Sequence, residues 1–142
     1  MADLDTLIAA GFRKTACWVA TDAPNCKGMD VDSLCPRDAG IYAFMVGGTV
    51  RYVGSAQRGL HSRFRRYATT ETMRTSARVR GKILGCLLEQ ESVEIHTLIP
   101  PPFVWNSLPV DLIAGIEEGL IRSMRPAWNR RSNPNRSGGG GG

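Results

Sequence analysis

Gly40-Ile41-Tyr42-Ala43-Phe44-Met45-Val46-Gly47-Gly48-Thr49-Val50-Arg51-Tyr52-Val53-Gly54 reads as a β-hairpin. Two β-favouring runs, 41–46 and 50–53, flank a glycine pair that can supply positive φ. The parity of the turn decides the chemistry, because side chains alternate across a strand. A two-residue loop with regular pairing sets Tyr42 opposite Val53 and puts Tyr42 and Tyr52 on opposite faces. An odd loop, such as 47–49 with a bulge, puts both tyrosines on one face, and the odd loop is the expectation here.

Outward from the hairpin, residues 59–68 read as a short helix carrying Arg63, Arg65, Arg66 and Tyr67. A second helix is expected over 75–90, where Val79, Ile83 and Leu87 form an apolar stripe and Arg74, Arg78 and Lys82 a separate basic row. That row is either a solvated face or a nucleic-acid contact. Residues 58–82 hold eight basic residues against one acid, Glu71, the strongest compositional pointer to a nucleic acid. A third strand is expected over 92–99, ended by the prolines at 100–102, which cannot donate to a ladder. His96 on that strand reads as structural or solvent-facing rather than as a general base. The last helix spans 109–125, with Leu112, Ile116, Leu120 and Met124 buried, Glu117 at the margin of the stripe and Glu118 exposed.

The N-terminal third opens with a short helix over 3–11, followed by a strand around Cys17-Trp18-Val19 and a loop over 22–38. It is expected to cover an edge or face of the sheet as an extension, residues 1–38. Residues 131–142, ending in five glycines, are expected to be a flexible tail. The 142 residues suffice for one domain with a real core.

Net charge is +5, but residues 1–39 hold six Asp against four Lys or Arg, so the remainder carries +7. Fifteen of the eighteen basic residues are arginine, whose planar fork suits bidentate phosphate contacts. Cys17, Cys26, Cys35 and Cys86 lack paired zinc-site spacing and read as thiols. Without a signal peptide or a run of eighteen apolar residues, the chain reads as cytoplasmic and not membrane-bound.

Gly40-Ile41-Tyr42, Tyr52-Val53-Gly54 ten residues on, Arg63 in the following helix, Glu117 in a Glu-x-x-Leu-Ile segment, and Asn129 after Pro126 resemble the GIY-YIG nuclease family. The likeness covers about residues 39–130. It is closest in motif to the N-terminal nuclease domain of bacterial excision-repair incision proteins, which also have tyrosine where Tyr67 stands. The resemblance implies an α/β fold with a small, mainly antiparallel three-stranded sheet and surrounding helices. It implies an endonuclease acting on DNA rather than RNA, with specificity from substrate shape, a protein partner or a fused domain.

By the same resemblance Tyr42 is the base that activates water, Tyr52 orients water or phosphate, and Tyr67 contributes a hydroxyl. Arg63 stabilises the phosphate, Glu117 ligates the metal, and Asn129 braces the Glu117 helix against the hairpin. With Glu118 the one carboxylate near Glu117, a single Mg²⁺ or Mn²⁺ is expected rather than a two-metal clamp. A phenol titrates near 10, so Arg63 and the metal are expected to lower Tyr42. Ser55, Arg58, Arg65, Arg66, Arg74, Arg78 and Lys82 complete the expected nucleic-acid surface. Ser55 departs from the excision-repair pattern, which has lysine there, and the 54–63 segment is one residue longer. The alternative function is a nucleic-acid-binding module that does not cleave, or a nuclease subunit needing a partner.

Overall fold

In a computed structural model of the chain, residues 2–70 and 74–129 are described. The expected flexible tail lies outside them. Five strands form one antiparallel sheet in the order β2-β1-β5-β3-β4. They are β1 (Arg13–Ala20), β2 (Met29–Val31), β3 (Gly40–Val46), β4 (Thr49–Ala56) and β5 (Val93–Leu98). Four helices, α1 (Asp3–Ala10), α2 (Leu60–Thr69), α3 (Arg74–Leu88) and α4 (Leu112–Met124), surround it, and β6 (Phe103–Trp105) with β7 (Leu108–Val110) form a separate hairpin.

The expectation of three strands is therefore corrected to five. The N-terminal segment supplies the other two: β1 pairs with β5 from Arg13↔Thr97 to Trp18↔Val93, and β2 pairs with β1. Residues 22–38 are likewise not all loop, since they contain β2. The 109–125 helix starts later than expected, because 108–110 are strand and Asp111 caps α4 by accepting from the Ala114 amide at 3.1 Å.

Both tyrosines do face one side, by a different device from the expected odd loop. Gly47 and Gly48, with φ of 59° and 82°, make a two-residue turn between Val46 and Thr49. The odd residue sits inside the strand. Met45 pairs with Val50 but Phe44 pairs with Tyr52, so Arg51 is a bulge that reverses the alternation of β4.

The sheet consequently has two distinct buried faces. Tyr42, Phe44, Tyr52, Trp18 and Ile95 pack with Phe64, Tyr67, Val79 and Ile83 of α2 and α3. Ile41, Ala43, Met45, Val50 and Val53 pack with Leu7 of α1 and with Leu120 and Ile121 of α4. Sandwiching the sheet in this way explains why all seven residues of β3 are buried.

Candidate active site

The glycines of the hairpin make room for the tyrosines. Tyr42 pairs with Gly54, and a Cβ on Gly54 would stand 2.5 Å from the Tyr42 hydroxyl oxygen, so the ring lies across the bare backbone. A Cβ on Gly40 would meet the Leu98 carbonyl at 2.7 Å. From α2, Tyr67 brings its hydroxyl to 2.9 Å from that of Tyr42. The rings of Tyr52 and Tyr67 lie 6.2 and 6.1 Å from that of Tyr42, and Trp18 packs edge-on against Tyr67.

Burial dominates the titration of this cluster. It pushes the Tyr42 phenol well above its ordinary value; Tyr52 and Glu117 act in the same direction, while the hydrogen bond to Tyr67 and the Arg63 guanidinium oppose them. Tyr52 and Tyr67 are raised as well, burial being the chief cause in each. Arg63 pulls Tyr42 in the expected direction, and desolvation outweighs that pull.

Glu117 projects from the side of α4 and accepts a hydrogen bond from the Ser55 hydroxyl on β4 at 2.9 Å. Its neighbour Glu118 is turned away to Arg122, with side-chain exposure of 43%. Ser55, Arg58, Arg63 and Arg66 line one cleft of about 230 Å³. Gln57 and Ser62, which sequence reasoning did not single out, line it too. Gln57 donates to the Asp111 cap of α4 at 2.9 Å, and so ties the cleft rim to the Glu117 helix.

Asn129 sits on the outer edge of β4. Its Oδ1 accepts from the Val53 amide and its Nδ2 donates to the Val53 carbonyl, both at 2.9 Å. The bulged Arg51 offers its carbonyl to the Trp128 amide at 2.8 Å. Arg78 donates to the Trp128 carbonyl at 2.8 Å.

The arginines therefore divide. Arg58, Arg63 and Arg66 reach the cleft, and Arg74 and Lys82 are exposed on α3. Arg65 is paired with Asp30 at 2.9 Å, and Arg78 holds the Trp128 segment. Arg80, one of the eight basic residues over 58–82, is buried and donates to the carbonyls of Tyr67 and Thr70. Its position directly after Val79 on the apolar stripe was the available signal. His96 is buried on the opposite face, 2.9 Å from Glu94, remote from the tyrosines by strand parity.

The donor set fits one hard cation. Glu117 offers a partly exposed carboxylate beside the cleft, and no group of three His, Cys, Asp or Glu gathers among the described residues. A lone carboxylate leaves most of the coordination shell to water and phosphate, as Mg²⁺ tolerates.

No protein-family model matches the chain, and no curated protein matches it. Several solved structures resemble it. A mutant of bacteriophage T4 EndoII superposes with a TM-score of 0.67 at 18% identity, over 91% of this chain and 98% of that one. Restriction endonuclease Hpy188I in complex with product DNA superposes at 0.54 and 12% identity, over 87% and 78%. The GIY-YIG N-terminal endonuclease domain of UvrC from Thermotoga maritima, bound to its catalytic magnesium, superposes at 0.46 and 26% identity, over 68% and 88%. No described helix is long and apolar enough to cross a membrane. Sharing its fold with T4 EndoII over nearly its whole length, and carrying Gly40-Ile41-Tyr42 and Tyr52-Val53-Gly54 on the paired strands β3 and β4 with Tyr42 opposite Gly54, the chain has the GIY-YIG nuclease fold.

Proposed function

We propose that the chain is a divalent-cation-dependent endonuclease that hydrolyses phosphodiester bonds in DNA. The observation that carries this reading is the convergence of three hydroxyls, a guanidinium and a carboxylate from four separate elements. Tyr42, Tyr52 and Tyr67 cluster within electrostatic reach of Arg63 and Glu117; Arg63 lines the cleft, and Glu117 stands on its rim through Ser55.

Cleavage needs an activated water, stabilisation of charge on the phosphate, and help for the leaving oxygen. Arg63 donates to a non-bridging phosphate oxygen, and removing such a donor costs about 10²- to 10³-fold in rate. Glu117 would hold Mg²⁺ or Mn²⁺, which would supply Lewis-acid stabilisation of the phosphate. As a phenolate, Tyr42 would take the proton of the attacking water; Arg63 and the Tyr67 hydrogen bond pull toward that form, and a cation on Glu117 would supply what burial still opposes. Tyr52 orients water or phosphate, and Tyr67 fixes the Tyr42 hydroxyl. Arg58 and Arg66 hold the flanking phosphates, with Arg74 and Lys82 extending the surface along α3. Asn129 keeps β4 and the segment after α4 in register. Ser55, in the place of the relatives' lysine, orients Glu117 instead of adding a charge.

The test is cleavage of labelled DNA with Mg²⁺, with Mn²⁺ and with EDTA. Metal-dependent products that vanish in Glu117→Ala and Tyr42→Phe support the reading. Salt-sensitive DNA binding without cleavage under any condition replaces it with a binding module.

A further inference from the structure

Eight of the ten aromatic side chains are buried. The two exceptions are Phe103, 44% exposed, and Trp105, 62% exposed, two residues apart on β6. Residues of that spacing share a face, and cross-strand pairing of Phe103 with Val110 and Trp105 with Leu108 adds two more apolar side chains to it. A hairpin of two three-residue strands that exposes such a face calls for a ligand. Between Glu94 and Asp111 the chain has no Asp, Glu, Lys or Arg.

The position of the hairpin says what the ligand is. β7 ends at Val110, and Asp111 is bonded to Gln57 on the rim of the arginine cleft. A polyanion held by Arg58, Arg63 and Arg66 therefore lies beside the aromatic face. A second copy docked there brings two arginine-lined clefts together, and like charge opposes it. Aromatic faces next to a basic groove suit nucleobases, which stack on them without regard to sequence.

We infer that the β6–β7 hairpin is a stacking platform for unpaired bases, so that the preferred substrate is DNA that is single-stranded or locally opened next to the scissile phosphate. This rests on the nuclease reading and narrows its substrate class.

The test uses the full chain in EDTA, titrated with three labelled oligonucleotides: a single strand, its fully paired duplex, and the same duplex with a central bubble. Anisotropy reports binding and tryptophan emission reports stacking. The single strand and the bubble are expected to bind more tightly than the paired duplex and to quench emission. Trp105→Ala is expected to lose the quenching and about tenfold in affinity for both, leaving the paired duplex unchanged, while Trp105→Phe retains most of the binding. Equal binding of all three DNAs by the native chain and Trp105→Ala overturns the inference, as does preference for the paired duplex. A native dimer in sedimentation that Trp105→Ala dissociates also overturns it, making the hairpin a protein interface. If Trp105-dependent binding holds but the native chain cuts nothing with metal, the nuclease reading fails and the platform stands.

Discussion

Asn129 pairs with Val53 as a neighbouring strand would, its side-chain amide accepting from and donating to the same residue's backbone at 2.9 Å. Asn129→Ala leaves a buried amide and carbonyl without these partners, which costs about 1–3 kcal/mol. Urea denaturation should show that loss. Asn129→Asp, which keeps the acceptor and loses the donor, should fall between.

Gly54→Ala places a methyl group where the Tyr42 ring lies. The ring can yield only by disturbing its packing against Phe44 and Phe64, so overpacking should destabilise the fold by about 1–3 kcal/mol. Cleavage should fall further than stability accounts for, because the Tyr42 hydroxyl moves away from Tyr67. Comparing rates at a temperature where the variant is fully folded separates the two effects.

The site's centre was legible in sequence, and its supports were not. Tyr42, Tyr52, Arg63 and Glu117 stand out because their spacing along the chain is distinctive. The parity of the tyrosines was anticipated, yet the residue responsible was misplaced. Positive φ at two glycines announces a turn, whereas the Arg51 bulge depends on pairing between strands and leaves no local mark. β2, β6 and β7 are three residues each, too short for alternation to show. Arg65 reads as surface charge, and the burial of Arg80 goes unseen, because their partners, Asp30 and two backbone carbonyls, are set by tertiary packing.

Ser55→Ala frees the Glu117 carboxylate from its fixed donor. The concentration of Mg²⁺ giving half-maximal cleavage should rise about tenfold, in line with loss of a group that orients a metal ligand. Maximal rate at saturating metal should change less. A shift in rate alone, with metal demand unchanged, counts against the orienting role.

Stability should decline in strong base. An unfolded tyrosine titrates near 10, and burial raises Tyr42, Tyr52 and Tyr67 above that in the fold. Their contribution is complete below 10 and is lost as pH rises through the folded values, because the unfolded chain then gives up protons that the fold retains. Urea midpoints measured from pH 8.5 to 11 should fall at the upper end. Tyr67→Phe should fall less steeply.

Arg80→Ala removes a buried guanidinium that ties α3 to the end of α2 through Tyr67 and Thr70. Loss of hydrogen bonds from a charged donor should cost about 2–3 kcal/mol, measurable by thermal melting. Affinity for DNA in the folded variant should stay close to that of the native chain, whereas Arg66→Ala, in the cleft, should weaken it and reduce its salt dependence.

The place of β1 between β2 and β5 has a practical corollary for anyone trimming the chain to its motifs. A fragment starting at residue 39 keeps Tyr42, Tyr52, Arg63, Tyr67, Glu117 and Asn129. It also strips the ladder partner from β5 and the Trp18 support from Tyr67. The bared row of N–H and C=O groups then becomes a template for strand addition by a neighbouring molecule. Such a fragment would carry a full set of chemical groups into a precipitate.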